Sequence, residues 1–250
     1  MLFPDDCRLC GQPLQDISRI PVCGICLRLP APLAADYFCV TCRTPFVNAF
    51  PLDASGRCAL CRSNLQSFDA AYSFGGYQGA LRQLIHLLKY ERIRTLGRPL
   101  GDFLATAFPR DQRFDAVVPM PLHWRRQWQR GFNQSALLAG EVGRRFGLPV
   151  IRAVRRARAT APQAGLTNAK RRANVTGAFA PSRRTSVAGL RLLLVDDVMT
   201  TGATASACSR ALKSAGARYV ALLALARADR RFAPDALATQ RPGVDRGAGA

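Results

Sequence analysis

The sequence predicts an α/β protein: a mainly parallel sheet flanked by helices, with a small metal-stapled module at its N-terminus. Three observations carry that class. From residue 68 onward, short apolar runs alternate with segments of helical period, the pattern of strands whose crossovers cover both faces of a sheet. One of those runs, residues 192–195, ends in two adjacent carboxylates and a hydroxyl- and glycine-rich loop, at the position where open α/β sheets receive ligands. Eight of the nine cysteines lie before residue 62, as four Cys-x-x-Cys pairs.

Those pairs are Cys7/Cys10, Cys23/Cys26, Cys39/Cys42 and Cys58/Cys61, separated by twelve, twelve and fifteen residues. One such turn holds two sulfurs close enough to share a metal, and two turns complete a tetrahedral site. A segment of roughly 65 residues has too small a core to fold readily without a staple. Redox pairs occur singly beside an α/β pattern rather than four in a row, and disulfides suit exported chains. Two structural zinc sites are therefore expected. Serial pairing gives Cys7, Cys10, Cys23 and Cys26 to one ion and Cys39, Cys42, Cys58 and Cys61 to the other; a cross-braced arrangement, first pair with third, stays open. Cys208 stands apart and reads as a small core residue.

Leu81, Leu84, Ile85 and Leu88, then Leu96, Leu100, Phe103 and Leu104, recur at helical spacing. Residues 116–118 read as a short buried strand, and 133–146 as a helix with Leu137, Leu138 and Val142 on one face. Gly147, Leu148 and Pro149 stop it, and 150–154 can return as a strand. Residues 155–174 are polar and basic. A central strand over 190–195, a helix over 205–215 and a strand over 219–225 complete the alternation. The Ala/Pro/Gly/Arg-rich tail reads as disordered. The expected division is 1–66 for the metal module, 67–232 for the sheet domain and 233–250 for the tail.

Thirty-six basic and 16 acidic residues give a formal charge of +20. Two zinc–thiolate sites would lower it to about +16. Between His123 and Arg184 stand fourteen Arg or Lys and a single acid, Glu141. Such a surface attracts polyanions, a pyrophosphate or a nucleic-acid backbone alike. No apolar run is long enough to span a bilayer, and residues 1–7 lack the pattern of a secretory signal. A cytoplasmic location is expected.

Residues 192–204 read Leu-Leu-Leu-Val-Asp-Asp-Val-Met-Thr-Thr-Gly-Ala-Thr. A buried strand that stops at such a turn and opens a helix presents N–H groups and a positive dipole end to an anion. Gly202 permits close approach of the backbone to a phosphate, and Thr200, Thr201 and Thr204 add hydroxyl donors. Asp196 and Asp197 suit the vicinal hydroxyls of a ribose. Together these residues ask for a sugar 5-phosphate.

This segment resembles the signature of type I phosphoribosyltransferases, whose substrate is phosphoribosyl pyrophosphate (PRPP). Two further segments extend the likeness: Pro119 to Gln134, and Arg156 to Gln163 continuing through Arg171, Arg172 and Asn174 to Phe179. With the cysteine-rich front, the order of all four blocks is similar to the ComF/GntX family of phosphoribosyltransferase-like proteins over essentially Cys7 to Arg227. The resemblance implies a type I phosphoribosyltransferase-like fold with an N-terminal double zinc ribbon. Asp196 and Asp197 would hold the ribose hydroxyls, and Met199, Thr200, Thr201, Gly202, Ala203 and Thr204 the 5-phosphate. The turn from Pro119 through Pro121 to His123 would face the pyrophosphate, with Arg125, Arg130 and Lys89 nearby. The stretch containing Arg171 would be a closing loop. Mg²⁺ would ride on pyrophosphate and hydroxyl oxygens.

Three functions follow from the resemblance. One is transfer of a phosphoribosyl group to an acceptor the sequence does not identify. Another is handling of single-stranded DNA, with proteins of a DNA-uptake machinery as partners, since ComF relatives are associated with natural transformation. The third is PRPP sensing without turnover. Trp124 and Trp128, at helical spacing, read as core or interface residues. No general base is assigned, to His86, His123 or any other group.

Overall fold

The computed structural model describes residues 6–15, 19–63, 66–158 and 177–228, and leaves out the side chains of Arg125 and Arg126. The cysteine-rich front contains short elements only: α1 (Gly24–Arg28), β1 (Tyr37–Phe38) paired antiparallel with β2 (Pro45–Phe46), and α2 (Ala59–Arg62). Then follow β3 (Ala70–Gly76), α3 (Gly79–Tyr90), α4 (Gly97–Thr106), β4 (Ala116–Pro119), α5 (Trp124–Arg130) and α6 (Gln134–Phe146). The chain closes with β5 (Val154–Arg156), β6 (Phe179–Pro181), β7 (Arg191–Met199), α7 (Ala203–Ser214) and β8 (Tyr219–Arg227).

Four strands form one sheet in the order β3-β8-β7-β4, every neighbouring pair parallel. Strand alternation sorts the apolar runs onto two faces. Leu193 and Val195 join Leu84, Leu88, Leu100, Leu104 and Leu138 of α3, α4 and α6. Leu192 and Leu194 meet Cys208 and Leu212 of α7 on the other side. The expected helices and the α/β class are thus present, and Cys208 is fully buried core.

The structure corrects one expectation. The run 150–154 does not form a strand: only Val150 bridges Val117, and Ala153 O accepts instead from Ser182 N at 2.8 Å, which sends β5 away to pair antiparallel with β6. Of the two alternatives for Trp124 and Trp128, core or interface, their 65% and 84% exposure on α5 removes the first and leaves the second. Of the two cysteine arrangements left open, the serial one is present, as described below. Strand β3, at the sheet edge, has a Gly-rich, weakly alternating sequence and escaped sequence reading. Residues 159–176, which hold most of the basic stretch with Gln163 and Arg171, and the tail after 228 lie outside the described residues.

Candidate functional site

The parallel strands all end on one side of the sheet, and a cavity of about 700 Å³ opens there. Lys89, Pro121, Arg130, Asp196, Asp197, Met199, Thr200, Gly202 and Thr204 line it. Nine of the anticipated residues therefore meet at one place. Pro119 closes β4 behind the lining turn, Thr201 lies within the loop itself, and Ala203 opens α7. Gln134 and Arg156, from the two further segments of the resemblance, line it as well, and Tyr77, Tyr90, Arg92 and Ser135 do so without having been anticipated.

Strand β7 runs on past the carboxylates to Met199, so Asp196 and Asp197 stand inside its last turn of ladder rather than after it. Asp197 is buried and pairs with Lys89, Nζ to Oδ1 at 2.8 Å, across from α3. Burial opposes the Lys89 charge, but Asp197, followed by Asp196, more than offsets it and raises the ammonium above its ordinary value. Asp196 Oδ1 accepts from Ser135 Oγ at 3.0 Å and from Asp197 N at 2.9 Å. Burial, then the neighbouring Asp197 charge, push its carboxyl up to about 7. Asn133 caps α6 by accepting from Ser135 N at 3.0 Å, while its Nδ2 donates to Met120 O at 3.0 Å. That cap ties the start of α6 to the turn after β4 and sets Ser135 against Asp196.

Two acceptors in this cavity are left over. Asp197 Oδ2 and Gln134 Oε1 are buried without a hydrogen-bond partner among the described residues. A buried carboxylate oxygen without a donor is costly, so it points to a donor that arrives with a ligand.

Gly202 has φ +76°, a left-handed conformation, and a Cβ there would lie 3.0 Å from Met199 Cε and 3.1 Å from both Gln66 Oε1 and Phe68 Cε1. The loop needs glycine on both counts. Helix α7 begins at the next residue, so its N-terminal end faces the cavity through Gly202 and Thr204. Backbone dipoles and hydroxyls there suit a dianionic phosphate.

The cysteines form two groups, Cys7/Cys10/Cys23/Cys26 and Cys39/Cys42/Cys58/Cys61, each with its sulfurs within 4.8 Å of one another. A tetrahedral zinc–thiolate site requires sulfurs about 3.8 Å apart, from bonds of about 2.3 Å. Cys10–Cys23 at 3.9 Å and Cys42–Cys58 at 3.7 Å meet that requirement. Both groups can hold a structural zinc ion.

Residues 133–240 match the phosphoribosyl transferase domain. The chain is similar to the DNA utilization protein YhgH of Salmonella typhimurium, 31% identical over 234 residues, covering 91% of this chain and 99% of the relative. Competence protein F of Haemophilus influenzae is 32% identical over 179 residues, covering 68% and 78%. Among solved structures, the glutamine PRPP amidotransferase of B. subtilis shares 22% identity and a TM-score of 0.37, over 52% of this chain and 26% of that one. End-to-end correspondence at this identity, with the domain match over the phosphate loop, means that the chain belongs to the ComF family of phosphoribosyltransferase-like proteins.

Proposed function

We propose that the cavity binds PRPP with Mg²⁺ and that the protein serves the handling of DNA in the cytoplasm. The observation that carries the ligand is Asp197: one oxygen is held by Lys89 and the other is buried without a donor among the described residues, as an acceptor for a ribose hydroxyl should be. Asp196, ionised, takes the neighbouring hydroxyl. Thr200, Thr201, Gly202, Ala203 and Thr204, with Met199 behind them, take the 5-phosphate at the start of α7. The pyrophosphate then extends toward Pro119, Pro121 and Arg130, with Arg125 and Arg171 as further cations from sequence. Mg²⁺, held on pyrophosphate and hydroxyl oxygens, would neutralise the leaving group. By sequence we assign 1–66 to the metal module, 67–232 to the PRPP domain and 233–250 to the tail.

Transfer is the reaction this arrangement favours. Departure of pyrophosphate leaves positive charge at the sugar C1 and places negative charge on the leaving oxygens, where arginines stabilise it. Calorimetry with PRPP and Mg²⁺ tests the ligand: heat is expected from the native chain and none from Asp197→Ala. Silence in the native chain overturns the proposal. Release of pyrophosphate across an acceptor screen separates turnover from sensing.

The DNA role is supported by α5. This helix carries Arg125, Arg126 and Arg130, Trp124 and Trp128 are exposed on it, and its residues Gln129 and Arg130 line the cavity. Aromatic faces among cations suit the bases and backbone of a single strand. The names of the relatives, a DNA utilization protein and a competence protein, agree with that use. Single-stranded DNA affinity should fall steeply with salt and survive Asp197→Ala; loss of DNA binding in that variant would merge the two sites.

A further inference from the structure

Arg227, the last residue of β8, is a buried cation, 3% exposed, that the ribose and phosphate chemistry above does not use. Its Nη1 donates to Cys42 O at 2.8 Å and lies 3.4 Å from Met199 Sδ. Its Nη2 donates to Thr44 Oγ1 and lies 3.8 Å from Cys42 Sγ. Thr44 Oγ1 in turn sits 2.8 Å from Cys42 Sγ. One guanidinium therefore bridges a turn of the second cysteine cluster and the residue at which β7 gives way to the phosphate loop. The backbone repeats the link, since Ala228 N donates to Met199 O at 2.9 Å. Gln66, just after the cluster, adds a second strut by donating from Nε2 to Thr201 O at 2.9 Å.

Four thiolates around a divalent ion carry a net charge of −2, and a buried guanidinium next to one of them favours that charge. The planar fork has fixed donor directions, so it holds Met199 in place only while Cys42 O and Thr44 Oγ1 stay where they are. Metal ligation is what fixes that turn, because binding and local folding are one process at such sites. We infer that Arg227 is a positioning residue that couples the metal at Cys39, Cys42, Cys58 and Cys61 to the phosphate loop, so that zinc and PRPP bind with positive cooperativity. The inference rests on the PRPP reading of the cavity. By linkage the coupling must be reciprocal.

The test uses the full chain carrying both zinc ions. Zinc affinity is measured by competition with a zinc-selective chromophoric chelator, with Mg²⁺ alone and with Mg²⁺ plus PRPP. PRPP affinity is measured by calorimetry before and after metal removal. The expected factor is about tenfold in both directions, confined to one of the two ions. Thr44→Val keeps the side-chain shape and removes the acceptor, while Arg227→Lys keeps the charge and removes the fork. Both variants should retain two zinc ions and bind PRPP, with the factor falling toward one. A merely structural role would lower the melting temperature and leave the factor unchanged. If Arg227→Lys does not fold, Thr44→Val decides. Equal zinc affinity with and without PRPP in the native chain overturns the coupling, as does an undiminished factor in Thr44→Val. No PRPP heat from the intact two-zinc chain overturns the PRPP reading and the coupling with it; PRPP binding without reciprocity overturns the coupling alone.

Discussion

Raising pH from 6 to 8 should tighten PRPP binding through Asp196. Partial burial beside the Asp197 charge holds its carboxyl at about 7, yet a ribose hydroxyl donates best to the ionised form. If only that form binds, about a tenth of the protein is competent at pH 6, half at pH 7 and nine tenths at pH 8. The apparent Kd is then about elevenfold above its limit at pH 6 and only about 1.1-fold above it at pH 8. Binding at pH 7 should also release about half a proton from this group. Calorimetry at the three pH values, in pairs of buffers with different protonation heats, measures both quantities. Phosphate groups of the ligand titrate near pH 6 as well, so Asp196→Asn supplies the baseline, and the difference in slope belongs to Asp196. A variant that keeps the whole slope and the same proton release refutes the reasoning. The sign for the empty protein is opposite. Asp196 is raised from 3.8 to about 7, so the folded chain keeps a proton that the unfolded chain has lost. Its contribution to stability therefore declines as pH rises through that window.

Three further outcomes are expected. Lys89→Met leaves the buried Asp197 without its cation, and removing one member of such a pair costs about 3–5 kcal/mol; urea unfolding at neutral pH should show most of that loss, and an unchanged midpoint would mean the pair contributes nothing. Gly202→Ala forces a side chain into a left-handed backbone and against Met199, Gln66 and Phe68. A strain of about 1–2 kcal/mol should weaken PRPP by roughly tenfold while circular dichroism stays native, and undiminished affinity would show that the loop can re-form. Metal analysis should find two zinc ions per chain. A chelator should take the ion of the first cluster sooner, because Cys10 is exposed and Cys23 half-buried, whereas all four ligands of the second are buried. Simultaneous loss would contradict that burial difference.

Much of the site was legible because its residues are contiguous. The phosphate loop lies in one run of sequence, and the strand, glycine and hydroxyls in it each have a local physical reason. Asp197's partner was harder to see: Lys89 sits on α3, far away in sequence, and the resemblance placed it near the pyrophosphate rather than on Asp197. Ser135 carried a signal in retrospect, since Asn133 is a good helix cap and the residue two beyond a cap is fixed in space. Arg227 carried one too, as a lone charge closing an otherwise apolar strand of nine residues. Its target, a carbonyl 185 residues earlier, has no local trace. Strand β3 was missed because Gly75 and Gly76 dilute its pattern and its partner β8 follows in sequence only after every other element.

Why the cysteines pair serially follows from where the two clusters sit. Cys7 and Cys26 share an apolar cluster with Leu84 and Leu100 on one face of the sheet. Cys39, Cys42, Cys58 and Cys61 share one with Leu194 and Leu212 on the other. The chain passes between them around the sheet edge: Leu33 N donates to Phe74 O of β3 at 2.7 Å, and a Cβ at Gly75 would meet Ala31 O at 2.8 Å. Twelve residues separate Cys26 from Cys39, a reach of up to about 40 Å, which is ample for a passage between layers about 10 Å from the sheet on each side. That passage also shields backbone groups of an edge strand that would otherwise template pairing with another chain. A cross-braced arrangement would require the first and third pairs to meet through the sheet. Serial ligation is therefore the only pairing this clasp allows, and it sets the second cluster, not the first, beside Met199 and the phosphate loop.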